Sequence, residues 1–147
     1  EQEFTVQVGQ VELRGQVDRL EIDEQGRPVV VDLKTGKQAP PGHEIDEHPQ
    51  LGAYQAAVAA GAFDEFGTEP GGAVLVQLGT GSKDAREQWQ PPLAEAADPG
   101  WARALIRRTG EVMAGATFRA ARNDRCRTCP VRTSCPISGK GRQVVQP

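Results

Sequence analysis

Residues 28–34 read Pro-Val-Val-Val-Asp-Leu-Lys, and no other stretch restricts the fold as tightly. Consecutive β-branched residues favour an extended strand. A continuous apolar run bounded by turn residues fits a strand covered on both faces, which is a central strand. Side chains alternate along a strand, so Asp32 and Lys34 project from the same face. Opposite charges in such a strand need a reason, because burying charge is costly. One reason is an ion pair at the strand's exposed end. The other is a catalytic site, where a carboxylate holds a metal and an ammonium stabilises developing negative charge.

The preceding residues supply a partner strand. Val6, Val8, Val11 and Leu13 alternate with polar residues, with a turn at Gly9-Gln10. Residues 15–22 continue as strand, with Leu20 and Ile22 as the alternating apolar positions. Asp23-Glu24-Gln25-Gly26-Arg27 is a hairpin turn signal. A turn centred on residue 25 puts Asp18 opposite Asp32. Two adjacent carboxylates repel unless a cation lies between them. A hard divalent cation such as Mg²⁺ takes carboxylate oxygens plus waters.

Residues 35–49 are rich in Gly, Pro and charge and are expected to form a loop. Leu51, Tyr54, Ala57 and Val58 then follow a helical pattern over 49–61, with Gly61 as a stop. Residues 73–78 read as a strand, with 88–93 as its antiparallel partner. Asp98 is placed to cap a helix over 99–115 with Pro99 at its first position. The order implies an α/β chain with a mixed central sheet flanked by helices. We expect a core over 1–118 and a basic, cysteine-bearing segment over 119–147.

Composition narrows the setting. Hydrophobic residues make up 37% of the 147, and Gly 17 and Pro 11 imply generous loops. No apolar run is long enough for a membrane span and no signal peptide opens the sequence, so no membrane partner is expected. The chain begins at Glu1 without Met, as expected of a fragment or a processed chain. Residues 1–102 hold 7 basic and 18 acidic side chains, a net of −11; residues 103–147 hold 10 and 2, a net of +8. The basic third, from Arg103 to Arg142, suits a phosphate-bearing partner, or else is a solvated helix face and tail. The acidic part also fits a protein-contact surface. Cys126, Cys129 and Cys135 are the three cysteines. An odd number at tight spacing argues against a disulfide framework and for a reduced, cytoplasmic setting with a metal or cluster.

Gly15-Gln16-Val17-Asp18-Arg19 followed by Val30-Val31-Asp32-Leu33-Lys34-Thr35-Gly36 resembles the PD-(D/E)XK nuclease superfamily, and its RecB-like branch in particular. Gln50-Leu51-Gly52-Ala53-Tyr54 matches the Q-x-x-x-Y element of that branch. Cys126-x2-Cys129-x5-Cys135 resembles the three-cysteine cluster of its iron–sulfur subset, which includes AddB-type, CRISPR-associated and helicase-fused nucleases. The resemblance spans about Glu1 to Cys135 and implies a restriction-endonuclease-like fold. It implies a Mg²⁺- or Mn²⁺-dependent deoxyribonuclease of exonuclease type, working with a helicase module in DNA repair and recombination.

The residues it implicates are specific. Asp18, Asp32 and the Leu33 carbonyl would bind the metal, and Lys34 would stabilise the transition state. Gln50 and Tyr54, at i and i+4 on one helix face, would hold a DNA phosphate; taken without the neighbouring motifs, they read rather as a helix cap region and an amphipathic core tyrosine. Arg19 is expected to pair with a neighbouring acid rather than contact DNA. The cysteines would bind a 4Fe-4S cluster, whose fourth cysteine this sequence lacks. A zinc site with His43 or His48 and free cysteines are the alternatives. The branch also carries an upstream helix with a metal-binding His or Glu, absent here, so a truncated core is expected. The competing function is a catalytically inactive DNA-binding or scaffold module, or a small iron–sulfur or zinc protein.

Overall fold

The computed structural model describes residues 1–79, 84–117 and 119–138. The chain divides into two compact units, Glu1–Glu111 and Val112–Pro147. The first holds two sheets and the packed helices.

Strands β1 (Gln2–Val8) and β2 (Val11–Val17) form an antiparallel hairpin through Gly9 and Gln10. Gly9 has φ +65°, a conformation glycine adopts without a Cβ penalty. The expected single strand over 15–22 is in fact two. The chain leaves β2 at Val17, bends at Asp18, and enters a second sheet as β3 (Arg19–Ile22). The bend is what frees the Asp18 carboxylate from a ladder position.

The second sheet runs β3–β4–β5–β6, with β4 (Pro28–Lys34), β5 (Ala73–Gln77) and β6 (Arg86–Gln90). Strand β4 is internal and buried from Pro28 to Asp32, as its apolar run requires. It pairs antiparallel with β3 and parallel with β5, and β5 pairs antiparallel with β6, so the sheet is mixed. Strand β6 starts and stops earlier than 88–93, because Leu93 already belongs to a 3-10 turn over Leu93–Glu95.

The β3–β4 turn fixes the register. Asp23 Oδ1 accepts the backbone N–H of Gln25 at 2.9 Å and of Arg27 at 2.8 Å. Gly26 adopts φ +79°, and Arg27 pairs with the Asp23 carboxylate at 2.8 Å. These contacts, the Arg27 backbone N–H foremost, hold the Asp23 carboxyl below its usual range. Arg19 stands opposite Val31, so the next pair outward is Asp18 and Asp32.

Helix α1 (Pro49–Ala59) crosses from β4 to β5. It begins with Pro at its first turn and ends before Gly61 at φ +91°. It is rich in alanine because it is packed on two sides. Leu51, Ala57 and Val58 meet Phe4, Val17, Val30, Phe63, Ala73 and Leu75 in one core cluster. Ala53, Ala56 and Ala60 meet Val8, Leu93 and the α2 residues Trp101, Ala102 and Ile106 in another. Helix α2 (Trp101–Ala114) starts two residues later than expected, so Asp98 is not its N-cap; its Oδ1 instead accepts the Gly100 N–H at 2.9 Å in the turn just before the helix.

Beyond the end of α2, the described residues of the second unit form a short 3-10 helix over Asp124–Arg127 and turns. Residues 139–147 of the expected basic segment, with Lys140 and Arg142, lie outside the described residues. Among the described residues no helix is long and apolar enough to cross a membrane.

Candidate active site

The site lies where the β2–β3 bend, the end of β4 and the first turns of α1 meet. Asp18 accepts the backbone N–H of Leu33 on its Oδ2 at 2.7 Å, which ties the bend to β4. Asp32, the residue before Leu33 on β4, is 3% exposed. Its Oδ1 accepts the Gln50 side-chain N–H at 3.0 Å.

The Lys34 ammonium lies 2.7 Å from Asp32 Oδ2 and donates to Gln50 Oε1 at 2.9 Å. Oδ2 is buried and receives no directed hydrogen bond, so the short approach of Lys34 is an ion pair off the hydrogen-bonding direction. Gln50 also donates to the Tyr54 hydroxyl at 2.9 Å, and Tyr54 donates to the Gln16 carbonyl at 3.1 Å. Burial pushes the Tyr54 phenol above its ordinary value, so it is a neutral hydroxyl at physiological pH.

Asp18, Leu33, Asp32, Lys34, Gln50 and Tyr54 are thus brought together. Gln50 is the hub, with its carbonyl on Lys34 and its amide shared between Asp32 and Tyr54. Arg19 pairs with Glu21, a neighbouring acid as expected.

His48 belongs to this neighbourhood too, and its sequence position gave no sign of it. It precedes α1 as the N-cap residue, with no side-chain capping bond. Its imidazole is close enough to Asp32, Lys34 and Glu44 to feel their charges, and burial is the main influence that lowers its pKa. Its Nδ1 is buried and without a hydrogen-bond partner.

The three cysteines line one cavity of about 540 Å³ in the second unit, together with Arg122, Arg127 and Arg132. All three are free thiols. Among the described residues, no three His, Cys, Asp or Glu side chains converge to hold a metal ion.

The family model of the PD-(D/E)XK nuclease superfamily matches residues 1–136. The chain belongs to that superfamily. It is therefore a nuclease-type hydrolase domain with DNA as the implied substrate, and its mixed sheet and helices agree with the restriction-endonuclease-like fold. Nucleases of this superfamily generally use divalent metals such as Mg²⁺ or Mn²⁺. A comparison with curated proteins gave no match.

The residues present fit such a cation. Asp32 Oδ2 is a buried carboxylate oxygen with a lone pair no donor uses, and Asp18 keeps a second oxygen beyond its bond to Leu33. Oxygen donors of this kind, completed by waters, are what a hard divalent ion takes.

Proposed function

We propose that this domain is a metal-dependent DNA exonuclease that acts with a helicase module in DNA repair or recombination. The observation that carries the chemistry is the buried Asp32 carboxylate, whose Oδ2 accepts no directed hydrogen bond and lies 2.7 Å from the Lys34 ammonium. Asp18 and Asp32 would hold one or two Mg²⁺ or Mn²⁺ ions, with the Leu33 carbonyl as a further oxygen. Bound there, the cation lowers the pKa of a water and shields the scissile phosphate.

The chain's own side chains do the rest. Lys34 offers an ammonium, as a point charge, to a phosphate oxygen or to the attacking water. Gln50 fixes that ammonium and the Asp32 carboxylate relative to each other. Tyr54, a neutral hydroxyl, keeps the Gln50 amide turned toward Asp32. Arg103, Arg107 and Arg108, exposed on α2, supply sequence-independent attraction for the DNA backbone. No base-reading motif is present, so little sequence preference is expected.

The test is cleavage of linear single- and double-stranded DNA with Mg²⁺, with chelator, and with Asp32→Ala or Lys34→Ala. Cleavage that needs the metal and is lost in both variants supports the reading. Cleavage unchanged in either variant ends it. DNA binding without any cleavage, in the presence of the full chain's partners, favours the scaffold function instead.

The same reading gives Cys126, Cys129 and Cys135 to an iron–sulfur cluster in a cytoplasmic protein. Their common cavity supports this, but the thiols would have to draw together and accept a fourth ligand. Iron and sulfide analysis after anaerobic reconstitution decides it, and protein that retains no iron rules it out.

A further inference from the structure

Three glutamines on the sheet hold the loop that joins the catalytic strand to the catalytic helix. Gln77 on β5 donates to the Gly36 carbonyl. Gln88 on β6 donates to the Pro40 carbonyl at 3.0 Å. Gln90 on β6 donates to the Ile45 carbonyl at 2.8 Å and the His48 carbonyl at 3.3 Å. All three are buried, where polar side chains are rare unless bonded; Gln88 Oε1 is the exception and has no hydrogen-bond partner.

Gln90 differs from the other two in what it holds. Its two carbonyls belong to the turn that leads into α1. The His48 carbonyl also accepts the Gly52 N–H at 2.9 Å, so it is part of the first helical turn. Gln50 stands in that same turn. Gln90 is itself fixed. Its Oε1 accepts the Gln55 side-chain N–H at 2.9 Å, and Gln55 also donates to the Pro91 carbonyl and accepts the Leu93 N–H, each at 3.0 Å. Every polar atom of the Gln55–Gln90 pair is therefore used, the condition under which a buried network rigidifies what it touches.

We propose that Gln90 is a positioning residue for the nuclease site. It sets where α1 begins, and so how Gln50 meets Asp32 and Lys34. It touches none of the reacting groups. A stability role alone would be shared with Gln88, which makes the same kind of bond from the same strand to a carbonyl early in the loop. The kinetic part of this inference rests on the proposed nuclease activity; the spectroscopic part does not.

The chain has a single tyrosine, Tyr54, hydrogen-bonded to Gln50. Tyrosine labelled with ¹³C at Cζ thus gives one resonance that reports the Gln50–Tyr54 contact directly. Gln90→Leu and the milder Gln90→Met should shift that resonance and lower kcat roughly tenfold with KM little changed; a misplacement of about 1 Å can cost up to a hundredfold. Gln88→Leu should lower the melting temperature while leaving the resonance and kcat as in the parent.

A Gln90 variant with the parental Tyr54 resonance overturns the proposal. So does a Gln88→Leu variant that shifts it equally, and so does failure of both Gln90 variants to fold, which would make Gln90 structural. If no variant and no parent protein cleaves DNA even in the presence of the full chain's partners, the nuclease reading fails while the resonance shifts still decide the positioning role.

Discussion

Asp18 Oδ2 accepts the backbone N–H of Leu33 at 2.7 Å, so the Asp18 carboxylate is anchored to the strand that carries Asp32. This one bond couples structure and chemistry at Asp18, and two substitutions separate them. Asp18→Asn keeps an acceptor oxygen for Leu33 but loses the charge. It should melt close to the parent while Mg²⁺-dependent cleavage falls roughly 10²–10³-fold, the size of losing one preorganised electrostatic contact. Asp18→Ala loses both, and should cost about 1 kcal/mol of stability in addition. Parallel melting curves and cleavage rates check this; an active Asp18→Asn enzyme would contradict a metal-binding role.

Lys34 is the only cation paired with the buried Asp32 carboxylate among the described residues. Lys34→Ala leaves that charge uncompensated, a penalty of about 1–3 kcal/mol before allowing for the solvent that reaches the partly exposed lysine. Mg²⁺ binding at Asp32 would then relieve more strain in the variant than in the parent. The expected outcome is a larger Mg²⁺-induced rise in Tm for Lys34→Ala, together with loss of cleavage. Equal rises in both proteins would place the ion away from Asp32.

His48 gives the site a pH signature. Burial is the main cause that lowers its pKa, with Asp32 and Glu44 opposing and Lys34 reinforcing. An unfolded histidine takes up a proton near ~6.5. Between that value and the lower folded value, the unfolded chain binds more protons. Stability attributable to the neutral imidazole is therefore whole above pH ~6.5 and is lost as pH falls through the folded pKa. His48→Gln cannot take up that proton, so the variant should lose less stability than the parent between pH 7 and pH 5. Denaturant titrations at several pH values measure this, and a constant difference between the two proteins would refute it.

Much of this arrangement is legible in the sequence, for physical reasons that stop at identifiable places. The turn centred on residue 25 puts 18 opposite 32 because strand pairing is a counting problem once a turn is fixed. The apolar run before Asp32 announces a central strand because both of its faces must be covered. Gln50 and Tyr54 share a helix face by spacing alone. The bend at Asp18 was not legible, because each half of residues 15–22 alternates as a strand should. His48 was missed because its place depends on how a loop of irregular composition is pinned to the sheet. The pinning side chains were hidden for a related reason: along Gln88-Trp89-Gln90, alternation by hydrophobicity would bury Trp89. The structure buries the two glutamines and leaves Trp89 55% exposed, since loop carbonyls need donors on that face.

The Tyr54 hydroxyl accepts from Gln50 and donates to the Gln16 carbonyl, joining α1 to β2. Tyr54→Phe removes both bonds while keeping the ring that packs edge-on to Phe4 at 6.3 Å between centroids. Each bond is worth about 1 kcal/mol net, so the variant should lose roughly that much to twice that in stability. Its kcat should fall only a few fold, because Gln50 still has Asp32 and Lys34 to orient it. A loss as large as that of Asp32→Ala would give the hydroxyl a direct part in the chemistry.

Gly52 separates packing from catalysis on the same helix. It sits between Gln50 and Tyr54, yet on the face of α1 that meets α2, and a Cβ there would run into the Trp101 ring. In an open helix Gly→Ala is worth about 1 kcal/mol in favour of alanine. Here overpacking works against it, typically by 1–3 kcal/mol. The ring is large, and Gly52 and Ala102 are buried, leaving little room for it to move aside. We therefore expect Gly52→Ala to be destabilising by about 1–2 kcal/mol, the overpacking cost exceeding the helix-propensity gain. Because the clash pushes on α2 and not on β4, the single Tyr54 resonance and the Mg²⁺-dependent kcat of the folded fraction should match the parent. A stabilised variant would show that Trp101 has a free rotamer to take. A variant with altered kcat would show that the α1–α2 contact, and not only Gln90, decides how Gln50 meets Asp32.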